Sequence, residues 1–147
     1  MKISIGSDHG GYLLKKDLIQ ALSKEGYEVI DCGTHSEESV DYPVYAEKVA
    51  RNVQTNKSSF GVLICVTGIG MCISANKFKK IRAALINSLD SAIMTRKHNN
   101  SNIICIGARY TKPEEAIEWI KAFATTEFEG GRHLRRIDLI SKQEENK

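Results

Sequence analysis

The chain of 147 residues is predicted to fold as an α/β protein, a three-layer α/β/α sandwich around a Rossmann-like, doubly wound, five-stranded parallel sheet. Two observations predict this fold class. Five short segments rich in β-branched and apolar residues alternate with longer stretches of helical periodicity. Two of these segments contain the continuous apolar runs GVLIC and IICIG, which are typical of strands in a parallel sheet that is covered on both faces.

The five predicted strands are bounded by residues that favour turns. They are placed at 2–8, 27–33, 60–66, 81–87 and 102–110. Helices separate them, so each pair of strands forms a right-handed βαβ unit. At this length one core is the default, and a single domain over residues 1–147 is expected.

The predicted helices follow from periodicity and from their end signals. The first stops near Gly26 and is indicated by apolar residues at helical spacing: Leu13, Leu14, Leu18, Ile19 and Leu22. A second follows Pro43, and two more follow Gly70 and Ser88. The last two are expected from Pro113 through Phe123 and from about Arg132 to the end, with a polar tail over about 140–147 that is expected to fray.

Composition argues against nucleic-acid and membrane partners. Hydrophobic residues make up 41% of the chain and charged residues 27%, and no apolar stretch approaches the roughly 20 residues that span a bilayer. The formal net charge of +3 is small, and the basic residues are spread along the chain apart from RHLRR at 132–136. The N-terminal segment lacks the continuous apolar run of a signal peptide, so a cytoplasmic location is expected.

The four cysteines predict neither a disulfide nor a metal site. They include no CxxC pair, and no cluster of His, Cys, Asp or Glu has metal-ligand spacing along the sequence. Free thiols are expected, with Cys32, Cys72 and Cys105 acting as small buried hydrophobic residues. No metal and no cofactor are predicted.

Functional residues are expected where the strands end, because ligands of such sheets bind outside the carboxyl ends, at the point where strand order reverses. Asp8 and His9 follow the first strand, the stretch from Cys65 to Gly70 follows the third, and Arg109 follows the fifth. The residues at 65–70 read CVTGIG, and their glycines leave backbone N–H groups facing a common space before a helix begins. This pattern predicts an anion cradle in which a Cys65 thiolate could act as base or nucleophile. A glycine turn that only packs strand on helix is the alternative that the motif leaves open.

Eight blocks of sequence, taken in order, resemble the ribose-5-phosphate isomerase B family, which includes the subunits of galactose-6-phosphate isomerase. The blocks are GSDHGG at 6, EVIDCGTHS at 28, DYPVYA at 41, ICVTGIGMCISANK at 64, IRAAL at 81, RKHNNSNII at 96, GAR at 107 and FEGGRHLRRID at 128. The resemblance covers essentially the whole chain. It implies an aldose-ketose isomerase of the pentose phosphate pathway that interconverts ribose 5-phosphate and ribulose 5-phosphate through a cis-enediolate.

The resemblance also implies roles for individual residues. His98 matches the acid that opens the sugar ring, and Cys65 matches the base that moves a proton between adjacent carbons. Another branch of the family uses a glutamate at the position of Met71 here, which leaves Cys65 as the candidate base. Thr67, Asn99 and the backbone amides of the glycine turn would stabilise the enediolate oxygen.

The remaining implied contacts are with substrate. Those to the sugar and the enediolate involve Asp8, His9, Tyr42, Val66, Gly68, Ile69, Gly70 and Asn99, and those to the phosphate involve Arg109, Arg132 and Arg136. Taken alone, several of these residues have ordinary interpretations: Asp8 as a helix N-cap and His98 as a surface residue. Most relatives have Gly where this chain has Val66, and since valine resists positive φ, the loop is either extended there or reshaped.

The resemblance implies a homodimer, or a dimer of dimers, with shared active sites. Cys65 and His98 are expected from one chain, with Arg132 and Arg136 from the other. The substrate alternatives are six-carbon sugar phosphates, namely allose 6-phosphate or galactose 6-phosphate. A non-catalytic nucleotide-binding or signalling module is the alternative of a different class, and it leaves Cys65, His98 and Asn99 without a purpose.

Overall fold

In a computed structural model that describes residues 1–146, five parallel strands form one sheet in the order β2-β1-β3-β5-β4. The strands are β1 (Lys2–Ser7), β2 (Glu28–Asp31), β3 (Phe60–Cys65), β4 (Ala83–Leu85) and β5 (Ile103–Gly107). The helices are α1 (Tyr12–Lys24), α2 (Tyr42–Gln54), α3 (Ile69–Ala75), α4 (Leu89–Asn99), α5 (Pro113–Thr125) and α6 (Arg132–Glu145). The predicted α/β class and the five-stranded parallel sheet are confirmed.

The two faces of the sheet are covered by different helices. Val62 and Ile64 of β3 point into a core cluster with α1, α4 and α5, whereas Leu63 and Cys65 point into a second cluster with α2 and α3. This alternation follows from the period of two in a β-strand. Helices therefore shield both faces of the sheet from solvent, which is why β3 is buried along its whole length.

All five strands are shorter than predicted, and helix α5 extends past Phe123 to Thr125. Three further differences have a structural reason. Strand β5 ends at Gly107, and the residues predicted to extend it, Ala108–Tyr110, form a 3₁₀ turn. Helix α2 begins at Tyr42, one residue before Pro43, because a proline in the first helical turn gives up no intrahelical hydrogen bond. The tail predicted to fray is helical to Glu145, and the Glu144 carboxylate accepts a hydrogen bond of 3.1 Å from the Lys80 N–H. Position 147 lies outside the described residues.

Helix α6 has few buried side chains. Within it His133 and Ile137 are buried, while Leu134, Leu139 and Ile140 are large apolar side chains that stay exposed. None of the helices over residues 1–146 combines the length and the apolar composition needed to cross a membrane.

Candidate active site

The strand order reverses between β1 and β3, and the residues that follow these two strands lie side by side. Ser7 pairs with Ile64 in the β1–β3 ladder, so Asp8 and Cys65 leave the sheet at the same level. Cys65 is also paired with Gly107, which places Arg109 just beyond the same edge. The predicted clustering of these residues at the carboxyl edge is confirmed. Asp8, His9, the glycine turn at 65–70 and Arg109 are called here the carboxyl-edge group.

Asp8 and His9 form the first wall of this group. Asp8 is buried, and its Oδ1 accepts hydrogen bonds of 2.9 and 3.2 Å from the N–H groups of Gly10 and Gly11, so it caps the turn that leads into α1. His9 Nδ1 accepts a hydrogen bond of 3.2 Å from the Val40 N–H. A neutral His9 with an accepting Nδ1 carries its proton on Nε2, which leaves that nitrogen as a donor for a ligand.

Cys65 lies at the start of the glycine turn and is already engaged with it. Its Sγ accepts a hydrogen bond of 3.2 Å from the Gly68 N–H, and both groups are buried. Gly68 has φ of 79°, and a Cβ there would lie 2.8 Å from the backbone of Ile106, so only glycine fits. The turn therefore holds the Cys65 sulfur beside its backbone N–H groups, at the end of β3.

The remaining amides of the turn are partly available. The Ile69 N–H donates to Thr67 Oγ1 at 3.3 Å. The Gly70 N–H lies in the first turn of α3, where no carbonyl of the helix can reach it. A ring from α2 covers this point, because a Cβ on Gly70 would lie within 3.0 Å of three atoms of the Tyr42 side chain. The packing brings Tyr42, predicted as a sugar contact, to the glycine turn.

Val66 is accommodated without a left-handed backbone. Among the described residues, the non-glycine residues with positive φ are Asn56, Lys80 and Asn100, so Val66 keeps a conformation open to a β-branched residue. Its carbonyl accepts a hydrogen bond of 3.0 Å from the Arg109 N–H, and its side chain faces Gly10, where an added Cβ would lie 2.5 Å from Val66 Cγ2. The turn is not reshaped by a positive φ; its valine fills space beside Gly10.

Met71 is closed off from solvent. Its side chain is fully buried in the same core cluster as Cys65. A thioether in that position offers no proton chemistry, so position 71 adds no second base to the carboxyl-edge group.

The other predicted site residues lie at the opposite edge of the sheet. Helix α4 runs back from the carboxyl end of β4 and ends at Asn99, three residues before Asn102. The Asn102 N–H donates to the Arg82 carbonyl just before β4, and the Asn102 carbonyl accepts from the Gly61 N–H near the start of β3. His98 and Asn99 are therefore at the amino edge, at least the length of β5, roughly 13 Å, from Cys65. The expectation that Cys65 and His98 meet within one chain is wrong.

Helix α6 joins His98 at this amino edge. The imidazole rings of His98 and His133 are stacked with centroids 4.3 Å apart and planes 13° apart. Arg132, Arg135 and Arg136 are exposed on the first turns of the same helix. His98, Asn99, Arg132 and Arg136 therefore form a second set, called here the amino-edge group.

Two residues that the sequence analysis missed complete this region. Glu129 Oε2 lies 3.9 Å from His98 Nε2 and 3.5 Å from His133 Nε2. Burial lowers the pKa of His133, as do the neighbouring charges of His98 and Arg132, and Glu129 acts in the opposite direction. The ligand atoms of the three side chains lie within 4.8 Å of one another, so they could hold a metal ion. The spacing E-x-x-x-H in FEGGRH was the available signal, but only packing of α6 on α4 adds His98.

Cys72 differs from its predicted role as an inert hydrophobic residue. It is half-buried, and a hydrogen bond from the Cys105 thiol is the largest of several causes that lower the pKa of Cys72 to about 7. The same interaction, together with complete burial, raises the pKa of Cys105. The four cysteines are free, as predicted.

Comparison with known proteins identifies close relatives. The family model described as Ribose/Galactose Isomerase matches residues 3–140. The ribose-5-phosphate isomerase B of Escherichia coli is 41% identical over 146 residues, which cover 99% of this chain and 98% of the relative. A ribose-5-phosphate isomerase B structure from Clostridium thermocellum has a TM-score of 0.97 at 46% identity, covering 99% of both chains. A structure from Mycoplasma genitalium with bound ribulose-5-phosphate has a TM-score of 0.94 at 40% identity, covering 99% of this chain and 97% of the other.

Proposed function

The chain belongs to the ribose/galactose isomerase family, and from this membership we propose that it is an aldose-ketose isomerase that interconverts ribose 5-phosphate and ribulose 5-phosphate. The observation that carries the proposal is the bound ribulose-5-phosphate of the Mycoplasma genitalium relative, which aligns with 99% of this chain. The free cysteines suit a reducing compartment, and we place the enzyme in the cytoplasm.

Proton transfer is assigned to Cys65. Its thiolate removes the proton from C2 of the open-chain aldose, the C2–H electrons form a C1–C2 double bond, and the carbonyl oxygen on C1 becomes an enediolate oxygen. The proton then returns from sulfur to C1, while the hydroxyl proton of O2 passes to O1 and C2 becomes the carbonyl carbon. Thr67 and the Gly70 amide stabilise the negative oxygen, and the Gly68 N–H donates a hydrogen bond to the Cys65 sulfur.

Ring opening is assigned to His98 of a second copy of the chain. His98 donates a proton to the ring oxygen as the bond from that oxygen to C1 breaks and the C1 hydroxyl becomes the aldehyde. Since Cys65 and His98 lie at opposite edges of one sheet, a sugar that contacts both must lie between two chains. Arg109 reaches the phosphate from the carboxyl edge, and Arg132 and Arg136 reach it from the partner chain's amino edge.

This assignment changes the division of the site that the sequence predicted. The prediction took Cys65 and His98 from one chain. In the proposed site, His98 comes from the same chain as Arg132 and Arg136, and Cys65 comes from the other chain. A two-fold axis then creates two equivalent sites in a homodimer, or four in a dimer of dimers. Exposed apolar side chains on α3 and α6 support such an assembly, since Ile69 and Leu134 are each 50% exposed and Ile73 is 60% exposed.

The direct test is an assay of ketose formation from three substrates. We expect kcat/KM to be highest for ribose 5-phosphate, lower for allose 6-phosphate and lower again for galactose 6-phosphate. The family's description includes galactose, so a higher kcat/KM for either hexose phosphate would replace the pentose assignment. Absence of turnover with all three would reject the isomerase itself.

The base assignment is tested by Cys65→Ala. Loss of a positioned base costs about 10²- to 10⁴-fold in rate, so kcat should fall by this factor while ribose 5-phosphate still binds, as measured by isothermal titration calorimetry. Cys72→Ala is the matched control, because Cys72 lies outside the proposed site on the far side of α3, hydrogen-bonding toward Ala83 of β4. A near-normal kcat in Cys65→Ala would show that a group other than Cys65 is the base.

A further inference from the structure

Three side chains at the amino edge have no metal role in the proposed isomerisation. They are His98, Glu129 and His133, and they are called here the three-ligand cluster. We propose that this cluster binds a divalent transition-metal ion of the Co²⁺ to Zn²⁺ series, and that the bound ion inhibits the enzyme by engaging His98. The inhibitory part rests on the proposed function, whereas binding of the ion does not.

The distances are close to those that a metal ion requires. Metal bonds of about 2.0–2.2 Å to imidazole nitrogen and carboxylate oxygen place neighbouring ligand atoms roughly 3.3–3.6 Å apart in tetrahedral geometry. Glu129 Oε2 lies 3.5 Å from His133 Nε2 and 3.9 Å from His98 Nε2. The two rings are nearly parallel, so the His98 ring must tilt for its lone pair to point at the ion. Its side chain is 35% exposed, which leaves room for that motion.

The cluster is held together by backbone structure and not only by its side chains. The Glu129 N–H donates a hydrogen bond of 3.1 Å to the Lys97 carbonyl, which fixes the segment before α6 to the end of α4, next to His98. His133 is buried where α6 packs on α4, so its ring has little freedom. The His133 ring and the backbone of Glu129 are thus positioned before an ion arrives, and the entropic cost of forming the site falls mainly on the side chains of Glu129 and His98.

The choice of ion follows from the ligands and from the surrounding charge. Two imidazoles and one carboxylate suit Zn²⁺, Co²⁺ and Ni²⁺, whereas Mg²⁺ and Ca²⁺ prefer oxygen ligands. Arg132 and Arg136 lie beside the cluster and repel cations, so attraction by charge alone is weak here. Ions that form strong bonds to nitrogen should bind, and Mg²⁺ should not.

Inhibition follows from what the ion occupies. A bound ion uses the Nε2 lone pair of His98, and this nitrogen then cannot carry the proton for the sugar ring oxygen. The ion also lies beside the arginines assigned to the phosphate, so ion and substrate should exclude each other. Transition-metal ions should therefore raise the apparent KM for ribose 5-phosphate, and EDTA should restore it.

Binding is tested on the full-length protein with Co²⁺ as the probe, by following its visible absorption. Glu129→Gln and His133→Asn should each raise the Co²⁺ Kd at least about tenfold, because each removes one of the ligands. His35→Asn is the matched control: His35 Nδ1 lies 3.8 Å from Asp31 Oδ2 at the surface, and no third ligand from residues 1–146 joins this pair. Its Kd should equal that of the parent protein.

Two spectroscopic outcomes would overturn the site. One is an unchanged Kd in both Glu129→Gln and His133→Asn. The other is an intense thiolate-to-cobalt charge-transfer band in the near ultraviolet, which would place the ion on a cysteine. Glu129 has a half-exposed side chain, so the Glu129→Gln protein should fold, and circular dichroism checks this.

Inhibition is tested by direct absorbance of the ketose product with Co²⁺, with Mg²⁺ and with EDTA. Competitive inhibition by Co²⁺ that Mg²⁺ does not reproduce, and that Glu129→Gln relieves about tenfold or more, supports the proposal. Binding of Co²⁺ without inhibition would overturn the inhibitory part. An enzyme inactive even in EDTA would instead reject the proposed function, and the cobalt titration would still decide the site.

Discussion

Gly10 and Val66 share a space that holds one side chain. Val66 has a stiff, β-branched side chain, and its Cγ2 lies 2.5 Å from the place where a Cβ on Gly10 would be. Gly10→Ala should therefore lower the free energy of unfolding by about 1–3 kcal/mol, the usual cost of overpacking. Urea denaturation of the purified variants measures this difference.

The pair can be separated by a double-mutant cycle. A Val66→Ala background lacks the Cγ2 atom. In that background, Gly10→Ala should lower the free energy of unfolding by clearly less than it does when residue 66 is valine. Equal costs in the two backgrounds would show that the strain at position 10 comes from the backbone and not from Val66.

Cys72 is a half-buried thiol that we expect to be alkylated at neutral pH. Its pKa is lowered from 9.0 to about 7, so near pH 7 about half of it is thiolate, compared with roughly one per cent at the ordinary value. The rate of alkylation of Cys72 by iodoacetamide should rise as the pH passes through 7 and level off above it. Peptide mass spectrometry across the pH range follows this rate.

Labelling at other cysteines provides the internal comparison. The hydrogen bond with Cys72, together with burial, raises the pKa of Cys105, and burial raises the pKa of Cys32, so neither should be modified readily at neutral pH. A Cys72 labelling rate that begins to rise only near pH 9 would contradict the lowered pKa.

Residues that follow strands were predictable, and residues that meet through helix packing were not. Asp8, Cys65 and Arg109 could be placed at one edge because the sequence shows where β1, β3 and β5 end. Glu129 and His133 are separated from His98 by the whole of β5 and α5. Only the docking of α6 on α4 brings them together, and no periodicity in the sequence encodes that docking.

The boundary of β5 shows a tertiary contact overriding a strand pattern. The predicted strand continued to Tyr110, but a Cβ on Gly107 would lie 2.6 Å from the Thr67 carbonyl oxygen, so the glycine turn packs directly on the strand end. The Arg109 N–H then donates to Val66 instead of to a neighbouring strand. The contact ends the ladder and also places Arg109 at the site.

Arg96 fixes the end of α4, and through it His98. Its guanidinium donates to the Ser101 carbonyl, to Asn100 Oδ1 and to the Thr126 carbonyl, and it lies over the Phe123 ring. Arg96→Met removes these charge-assisted bonds and leaves their acceptors unpaired, so the free energy of unfolding should fall by about 2–4 kcal/mol. Chemical denaturation gives this value.

Arg51 is a matched control for that substitution. It also lies over a phenylalanine ring, that of Phe78, but it is exposed, and among residues 1–146 its guanidinium hydrogen-bonds only to side chains of its own helix. Arg51→Met should change stability by less than about 1 kcal/mol. A similar loss in both variants would assign the effect of Arg96 to ring packing and not to its hydrogen bonds.

At the scale of the whole molecule, the sheet separates two groups of residues that the proposed reaction needs together. The number of strands and their parallel arrangement were predictable from the sequence, whereas the strand order was not. The resemblance assigned roles to Cys65 and His98 but placed both residues at one site of one chain. Helix α4 has 11 residues, a length of roughly 16 Å, and it runs from one edge to the other. This length puts His98 at the edge opposite Cys65.

Mixing two inactive variants tests this separation. In a mixed dimer of Cys65→Ala and His98→Asn chains, one shared site collects both defects and the other collects neither. An equimolar mixture with random exchange makes half its dimers mixed, so activity should recover to about one quarter of the parent value. Native mass spectrometry confirms the exchange, and a mixture that stays inactive despite exchange would mean that Cys65 and His98 act within one chain.

Under the shared-site proposal, the position of the sheet also determines when catalysis begins. A chain that has just left the ribosome can be fully folded and still inert toward sugar phosphates, because no motion of one chain carries its amino edge around to its carboxyl edge. Turnover per chain then depends on mass action, rising with enzyme concentration until association is complete. At low expression, the supply of copies limits the flux that each copy can support.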